Sequence, residues 1–364
     1  MNDLQLAPWL QTIAVQRLSQ AAPFPQSLLI SGQEGVGKAD LAEFLASSLL
    51  CDNPTEAGES CGQCQQCLLF RAGNHPDFHV VLTEKETMGG DTRLSGNGFR
   101  YLTDNQKKPG RKSHSESILI DQIRSVAASV VATPQLAKKT VVLISPAEKL
   151  NRNAANSLLK ILEEPVGTSF FLLISHRSSA LPATIRSRCQ HISIPLPEHG
   201  QACDWLAAKT GLKPHESDII LNLAAGAPAT ALKLNEQGLL SKRSEWLKSL
   251  DDLTQQSIAV STFANQWKKA DSRSGLLWFY GWLRDLIVLK AGQENDNRSR
   301  GLFNADCLPT LQIQAKRLNL RQLMACQSLV EQRFALLTTS NADDALVLEE
   351  VLGYWNKMFY RRRQ

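Results

Sequence analysis

"SLLISGQEGVGKADLAEFLASSLL" occupies residues 27–50, and its reading decides the fold. The apolar run at 27–30 predicts a strand buried on both faces, and residues 39–50 predict a helix. Between them, "GQEGVGKA" (32–39) follows the phosphate-binding pattern G-x-x-x-x-G-K-[ST] at Gly32, Gly37 and Lys38 and departs from it at Ala39. Gly32, Gly35 and Gly37 permit positive φ and turn backbone N–H groups toward a phosphate. Lys38 offers a point charge to the β- and γ-phosphates.

Four further apolar runs lie downstream: "FHVVL" (78–82), "TVVLI" (140–144), "FFLLI" (170–174) and "HISI" (191–194). Helical stretches separate them, which predicts an α/β domain over 1–195 built on a parallel sheet covered on both faces. Residues 84–116 interrupt the alternation. They are polar and rich in Gly, Lys and Ser, and read as a mobile surface excursion, with a binding loop as the alternative. After "PLPEHG" (195–200) the strand signals fade. Helices are expected at about 201–210, 215–224 and 228–236, giving a small helical domain over 196–240. A helical C-terminal domain follows over 241–364. Its signals are "LLWFYGWLRDLIVLK" (276–290) and two sets at helical spacing: Leu323, Cys326, Val330, Phe334 and Leu337, then Val347, Val351, Tyr354 and Met358. Asn341 suits a helix N-cap, and the tail "RRRQ" (361–364) reads as a solvated end.

The 364 residues carry a net charge of +5, which permits nucleic-acid contact without requiring it. The opening "MNDLQLAPWL" has no basic n-region or apolar h-region, and no run of about 18 apolar residues is present, so a cytoplasmic chain is expected.

The loop does not by itself imply hydrolysis. The hydroxyl at its last position normally holds Mg²⁺ with an acid after a later strand. Here Ala39 has no oxygen, and Ser145 and Pro146 follow "TVVLI" where acids are expected. Glu148 is the only nearby substitute, in a shifted geometry. Little or no hydrolysis is expected, because unstabilised phosphoryl charge costs powers of ten in rate.

Cys51, Cys61, Cys64 and Cys67 are spaced C-x9-C-x2-C-x2-C. Four thiolates suit tetrahedral Zn²⁺ with no open position, hence a structural clip; an iron–sulfur cluster is the metal rival. His75 lies close in sequence but reads as part of the turn into 78–82.

"NAANSLLKILEEP" (153–165), "LPATIRSRC" (181–189), "APWL" (7–10), "HPDF" (75–78) and "ILIDQIRSV" (118–126), together with the degenerate loop and the cysteine module, resemble bacterial clamp-loader subunits of the AAA+ class. The resemblance is dense over 7–195 outside 84–116, weaker over 196–240, and rests on helical character beyond. It implies an AAA+ P-loop domain with an inserted zinc module at 51–67, a small helical lid and an all-α collar that mediates oligomerisation. It further implies a pentamer with a delta subunit and three copies of an ATPase subunit (tau or gamma), which opens a sliding clamp and places it on primed DNA. This chain's place would be the non-hydrolysing stator. The same resemblance gives Arg188, in "SRC" (187–189), the role of an arginine finger reaching a neighbouring subunit's ATP, with Arg186 less favoured. A guanidinium supplied in trans would neutralise γ-phosphate charge. It aligns Ser175 with a sensor hydroxyl and Ala229 with a missing sensor arginine. Retained Gly37 and Lys38 leave weak nucleotide binding open. Glu163 and Glu164 are adjacent on a helix and do not face each other, so they read as structural or subunit contacts rather than a catalytic pair. An active AAA+ ATPase is the rival reading, and a nucleic-acid-binding zinc protein a third; the cysteine cluster lacks the interleaved basic and aromatic residues of the latter.

Overall fold

Five parallel strands, β1 (Ser27–Ser31), β2 (Phe78–Leu82), β3 (Thr140–Ser145), β4 (Ser169–Ser175) and β5 (Gln190–Ser193), form one sheet in the order β2-β3-β4-β1-β5. The computed structural model describes residues 6–18, 24–90, 93–108, 114–131, 134–165, 167–268, 272–292, 302–339 and 343–360. The expected cap at Asn341 and the tail at 361–364 lie outside them. The chain divides into two units, Met1–Pro197 and Glu198–Gln364.

In the first unit the apolar runs become the strands because each is covered on both faces; every residue of β1 and β2 is buried. Register aligns Leu29 with Leu173 of β4 and with His191 of β5. The helices are α1 (Pro8–Leu18), α2 (Lys38–Leu50), α3 (Gln65–Arg71), α4 (Glu84–Gly89), α5 (Arg93–Phe99), α6 (Ile120–Val131), α7 (Arg152–Glu163) and α8 (Ala183–Arg186). The neighbours β1 and β4 send their connections in opposite directions along the sheet, toward β2 and β5 respectively. Such a switch point is where open α/β sheets bind ligands.

Local chemistry sets the helix ends. In α7, Asn151 caps by accepting from the Ala154 backbone N–H at 2.8 Å. Leu158 and Leu162, one turn apart, are buried, while Leu159 and Ile161 pack at the margin. Pro165 follows and disfavours helical geometry at Glu164.

Residues 84–116 are not the loose excursion expected. Their described part folds as α5 against β2 with α4 packed on α5, and Leu94, Tyr101 and Leu102 are each about 5% exposed or less. Thr83 caps α4 in a reciprocal capping box with Glu86. The Tyr101 hydroxyl hydrogen-bonds His79 Nδ1 at 2.5 Å. Buried Glu84 ties down the far end, pairing with His114 at 3.0 Å and accepting from the Ser115 N–H at 3.0 Å.

The second unit is helical throughout its described residues. A small cluster of Ala202, Leu206, Ile220, Leu221 and Ala231 joins α9 (His199–Thr210), α10 (Pro214–Leu223) and α11 (Pro228–Glu236). A larger core around Trp246, Trp278, Phe279 and Trp355 joins α12 (Leu239–Thr254), α13 (Val260–Lys268), α14 (Ser272–Ala291), α15 (Leu308–Arg317), α16 (Leu320–Thr339) and α17 (Asp344–Tyr360). The periodic positions Leu323, Cys326, Val330, Leu337, Val347, Val351 and Met358 are all buried in it, and Phe334 and Tyr354 pack at its edge. Arg243 forks onto Asp306 at 2.8 and 2.9 Å and also bonds Asn304. Asn304 in turn bonds Asp285, so a fully buried charge keeps its partners.

Candidate functional site

The phosphate-type loop sits at the switch point, between β1 and α2. Gly32, Gly35 and Gly37 all have positive φ: +152°, +80° and +100°. A Cβ on Gly32 would meet the Ile194 carbonyl oxygen at 2.5 Å, and one on Gly37 would meet Leu10 Cδ1 at 2.7 Å. Trp9 in α1 donates its indole N–H to the Val36 carbonyl at 2.9 Å. The "APWL" segment therefore braces the loop, a role the sequence did not disclose.

Lys38 is 3% exposed, and its Nζ donates to the Gly32 and Gln33 carbonyls at 2.7 and 2.6 Å. Burial lowers its pKa to about 8, with Glu34 and Glu148 working against that shift. Ala39, the second residue of α2, presents a methyl group where an oxygen would ligate magnesium. Ser145 ends β3, and Pro146 follows it. Glu148 accepts from the His176 backbone N–H at 2.9 Å through Oε1; its Oε2 is buried without a hydrogen-bond partner among the described residues. Ser175 is buried at the end of β4, and its hydroxyl accepts from the Arg177 N–H at 3.2 Å. Chemically, the loop offers one buried cation already bonded to its own carbonyls. A phosphate would have to displace those two bonds. Ala229 lies in the second unit, on α11.

The four cysteines converge. Cys51 ends α2, Cys64 caps α3, Cys67 lies in α3's first turn, and Cys61 lies on the connecting loop. All four Sγ atoms lie within 4.8 Å of one another. Three separations are 3.8 Å (Cys51–Cys64), 3.9 Å (Cys61–Cys67) and 3.5 Å (Cys64–Cys67). A tetrahedron with Zn–S bonds of about 2.3 Å has edges of about 3.8 Å, so the set fits a closed S₄ site. Backbone N–H groups aimed at sulfur, from Gln63 and Cys64, hold the Cys61 thiol down at about 6, while burial pushes Cys67 up. His75 stays outside the cluster; its Nδ1 accepts from the Asp77 N–H at 3.1 Å in the turn before β2.

Arg188 follows α8 at the surface. Its Nη1 donates to the Thr184 carbonyl at 2.9 Å, and its Nη2 pairs with the Glu163 carboxylate at the end of α7. The side chain is 34% exposed, so this ion pair is worth under about 1 kcal/mol. Glu163 thereby has a defined contact, with a residue 25 positions away. Arg186 is exposed on α8.

Comparison with known proteins gives the following. Residues 11–198 match the family model described as DNA polymerase III, delta subunit, and 237–357 match its C-terminal counterpart. DNA polymerase III subunit delta' of Pseudomonas aeruginosa is 35% identical over 350 residues, covering 96% of each chain. The subunit of the same name from Haemophilus influenzae is 31% identical over 248 residues, covering 67% of this chain and 65% of that one. Among solved structures, a DNA polymerase III gamma subunit-related protein of Thermotoga maritima aligns over 96% of this chain and 99% of its own, at 17% identity and a TM-score of 0.45. No described helix is long and apolar enough to cross a membrane.

Proposed function

This chain belongs to the delta-prime family of DNA polymerase III subunits, and from that premise we propose that it is the stator of a clamp loader. On this reading it does not turn over ATP itself. It assembles with a delta subunit and tau or gamma ATPase subunits, which load a sliding clamp onto primed DNA. Residues 1–195 act as the nucleotide-type domain, 196–240 as a lid, and 241–364 as the collar that joins the subunits. Arg188 acts in trans on a neighbour's γ-phosphate, where a fixed guanidinium offsets charge that develops in the transition state. Zn²⁺ held by Cys51, Cys61, Cys64 and Cys67 pins α2 to α3 and supplies no chemistry.

One observation carries the proposal: at its own loop the chain has a methyl group at Ala39 and a lysine bonded to loop carbonyls, while Arg188 lies at the surface on a solvent-screened ion pair and one backbone carbonyl. The rival reading, an active ATPase, is favoured by Glu148. Its buried Oε2 has no hydrogen-bond partner among the described residues, and its charge acts on Lys38.

The deciding measurement is ATP turnover by the reconstituted complex. Arg188→Ala should lower turnover at the adjoining site by about 10³-fold, and Lys38→Ala should leave total turnover unchanged. Unaltered turnover in Arg188→Ala removes the finger assignment. Turnover by the isolated chain that Lys38→Ala abolishes favours the rival. Failure to co-assemble with the ATPase subunits removes the stator reading itself.

A further inference from the structure

We propose that His199, Cys203 and Asp218 form a second metal site, of the Zn²⁺ class, that clips α9 to α10. His199 and Cys203 are four residues apart and share one face of α9. Asp218 reaches the same point from α10. An imidazole nitrogen, the thiol sulfur and a carboxylate oxygen from these three lie within 4.8 Å of one another. His199 Nε2 and Asp218 Oδ1 are already 2.5 Å apart.

The donor set selects the ion. One sulfur, one nitrogen and one oxygen suit a borderline cation such as Zn²⁺ and disfavour Mg²⁺ and Ca²⁺, which take oxygen ligands. Ligands at about 2.0–2.3 Å from a tetrahedral zinc are about 3.3–3.7 Å apart, so the present spacings, 2.5 Å for the His–Asp pair and within 4.8 Å for all three, bracket the required ones. The frame is firm: Ala202 and Leu206 of α9 and Ile220 and Leu221 of α10 are buried against one another on the adjoining faces. His199 and Asp218 are 49% and 44% exposed, which lets an ion enter from solvent and leaves a fourth position for water. On binding, Cys203 releases its proton to solvent. A His–Asp hydrogen bond alone accounts for two of the groups, and a metal ion accounts for all three. Its effect would be to pin the first turn of the second unit, immediately after Pro197.

The test is zinc stoichiometry of the full chain after metal removal and titration with Zn²⁺, comparing wild type with His199→Ala and Asp218→Asn. Each variant should bind one equivalent fewer than wild type. The difference does not depend on whether the four-cysteine cluster fills. Alkylation of Cys203 gives a second readout: Zn²⁺ should slow it at least tenfold in wild type and not in His199→Ala. Circular dichroism of the metal-free proteins identifies any variant that fails to fold, in which case the other decides. Equal stoichiometry in wild type and a folded variant, or Cys203 equally reactive with and without Zn²⁺, overturns the proposal.

Discussion

Asp77 is 2% exposed, and both of its oxygens accept backbone N–H groups: from Gln135 at 2.6 Å, Leu136 at 2.9 Å and Ala137 at 2.7 Å. Burial pulls its pKa up, but the three N–H bonds together outweigh it and hold the carboxyl below its usual range. A depressed carboxyl pKa contributes stability that is present above about pH 4 and lost as pH falls through the lower folded value. Asp77→Ala orphans three N–H groups and should cost about 2–4 kcal/mol, read from the urea midpoint of the first unit; a loss under about 0.5 kcal/mol contradicts this account. Glu163→Gln is expected to behave oppositely. Its pair with Arg188 is solvent-screened, so stability should change by less than about 1 kcal/mol in the same assay. A large loss would mean that Glu163 supports the fold rather than holding a surface arginine.

At the level of elements, the strands were legible to within one or two residues, because buried parallel strands are continuous apolar runs. The cysteine module was equally plain from its spacing. Other parts were not. Leu94, Tyr101 and Leu102 are too few among Gly and Ser to set up a period, so α4 and α5 looked like a loop although α5 covers β2 and α4 packs on α5. The Glu163–Arg188 pair spans β4, and sequence spacing carries no information across a strand. The triple acceptor at Asp77 hid inside "HPDF" because its donors come from residues 135–137. The cysteine module allows a direct check. Between 52 and 73 only Ser60, Gln66, Cys67 and Phe70 are buried, so the segment has little core of its own. If zinc fills the four-cysteine cluster as proposed, a chelator should open the segment, and limited proteolysis should then cut between 52 and 63; unchanged resistance would show that packing alone holds it.

On the scale of the whole molecule, the two units should respond differently to acid. His75, His79 and His176 all lie in the first unit, and burial lowers the pKa of each, His79 to about 4. The unfolded chain takes up these protons near pH 6.5 and the folded chain resists them, so stability present above pH 6.5 is lost as pH falls through that value, for His79 down to about 4. His79 alone accounts for roughly 3 kcal/mol over that window. In the second unit, His199 and His215 are exposed. Thermal unfolding at pH 7 and pH 4.5 should show the first unit's transition falling much further than the second's, and His79→Gln should narrow the gap.

The crowding around Gly32 belongs to the fold itself. A side chain there would strike the Ile194 carbonyl, and one at Gly37 would strike Leu10; neither obstacle involves a nucleotide. The fold alone therefore favours glycine at both positions, whether or not a nucleotide binds. The glycines of such a loop are thus a record of its fold and not of its turnover.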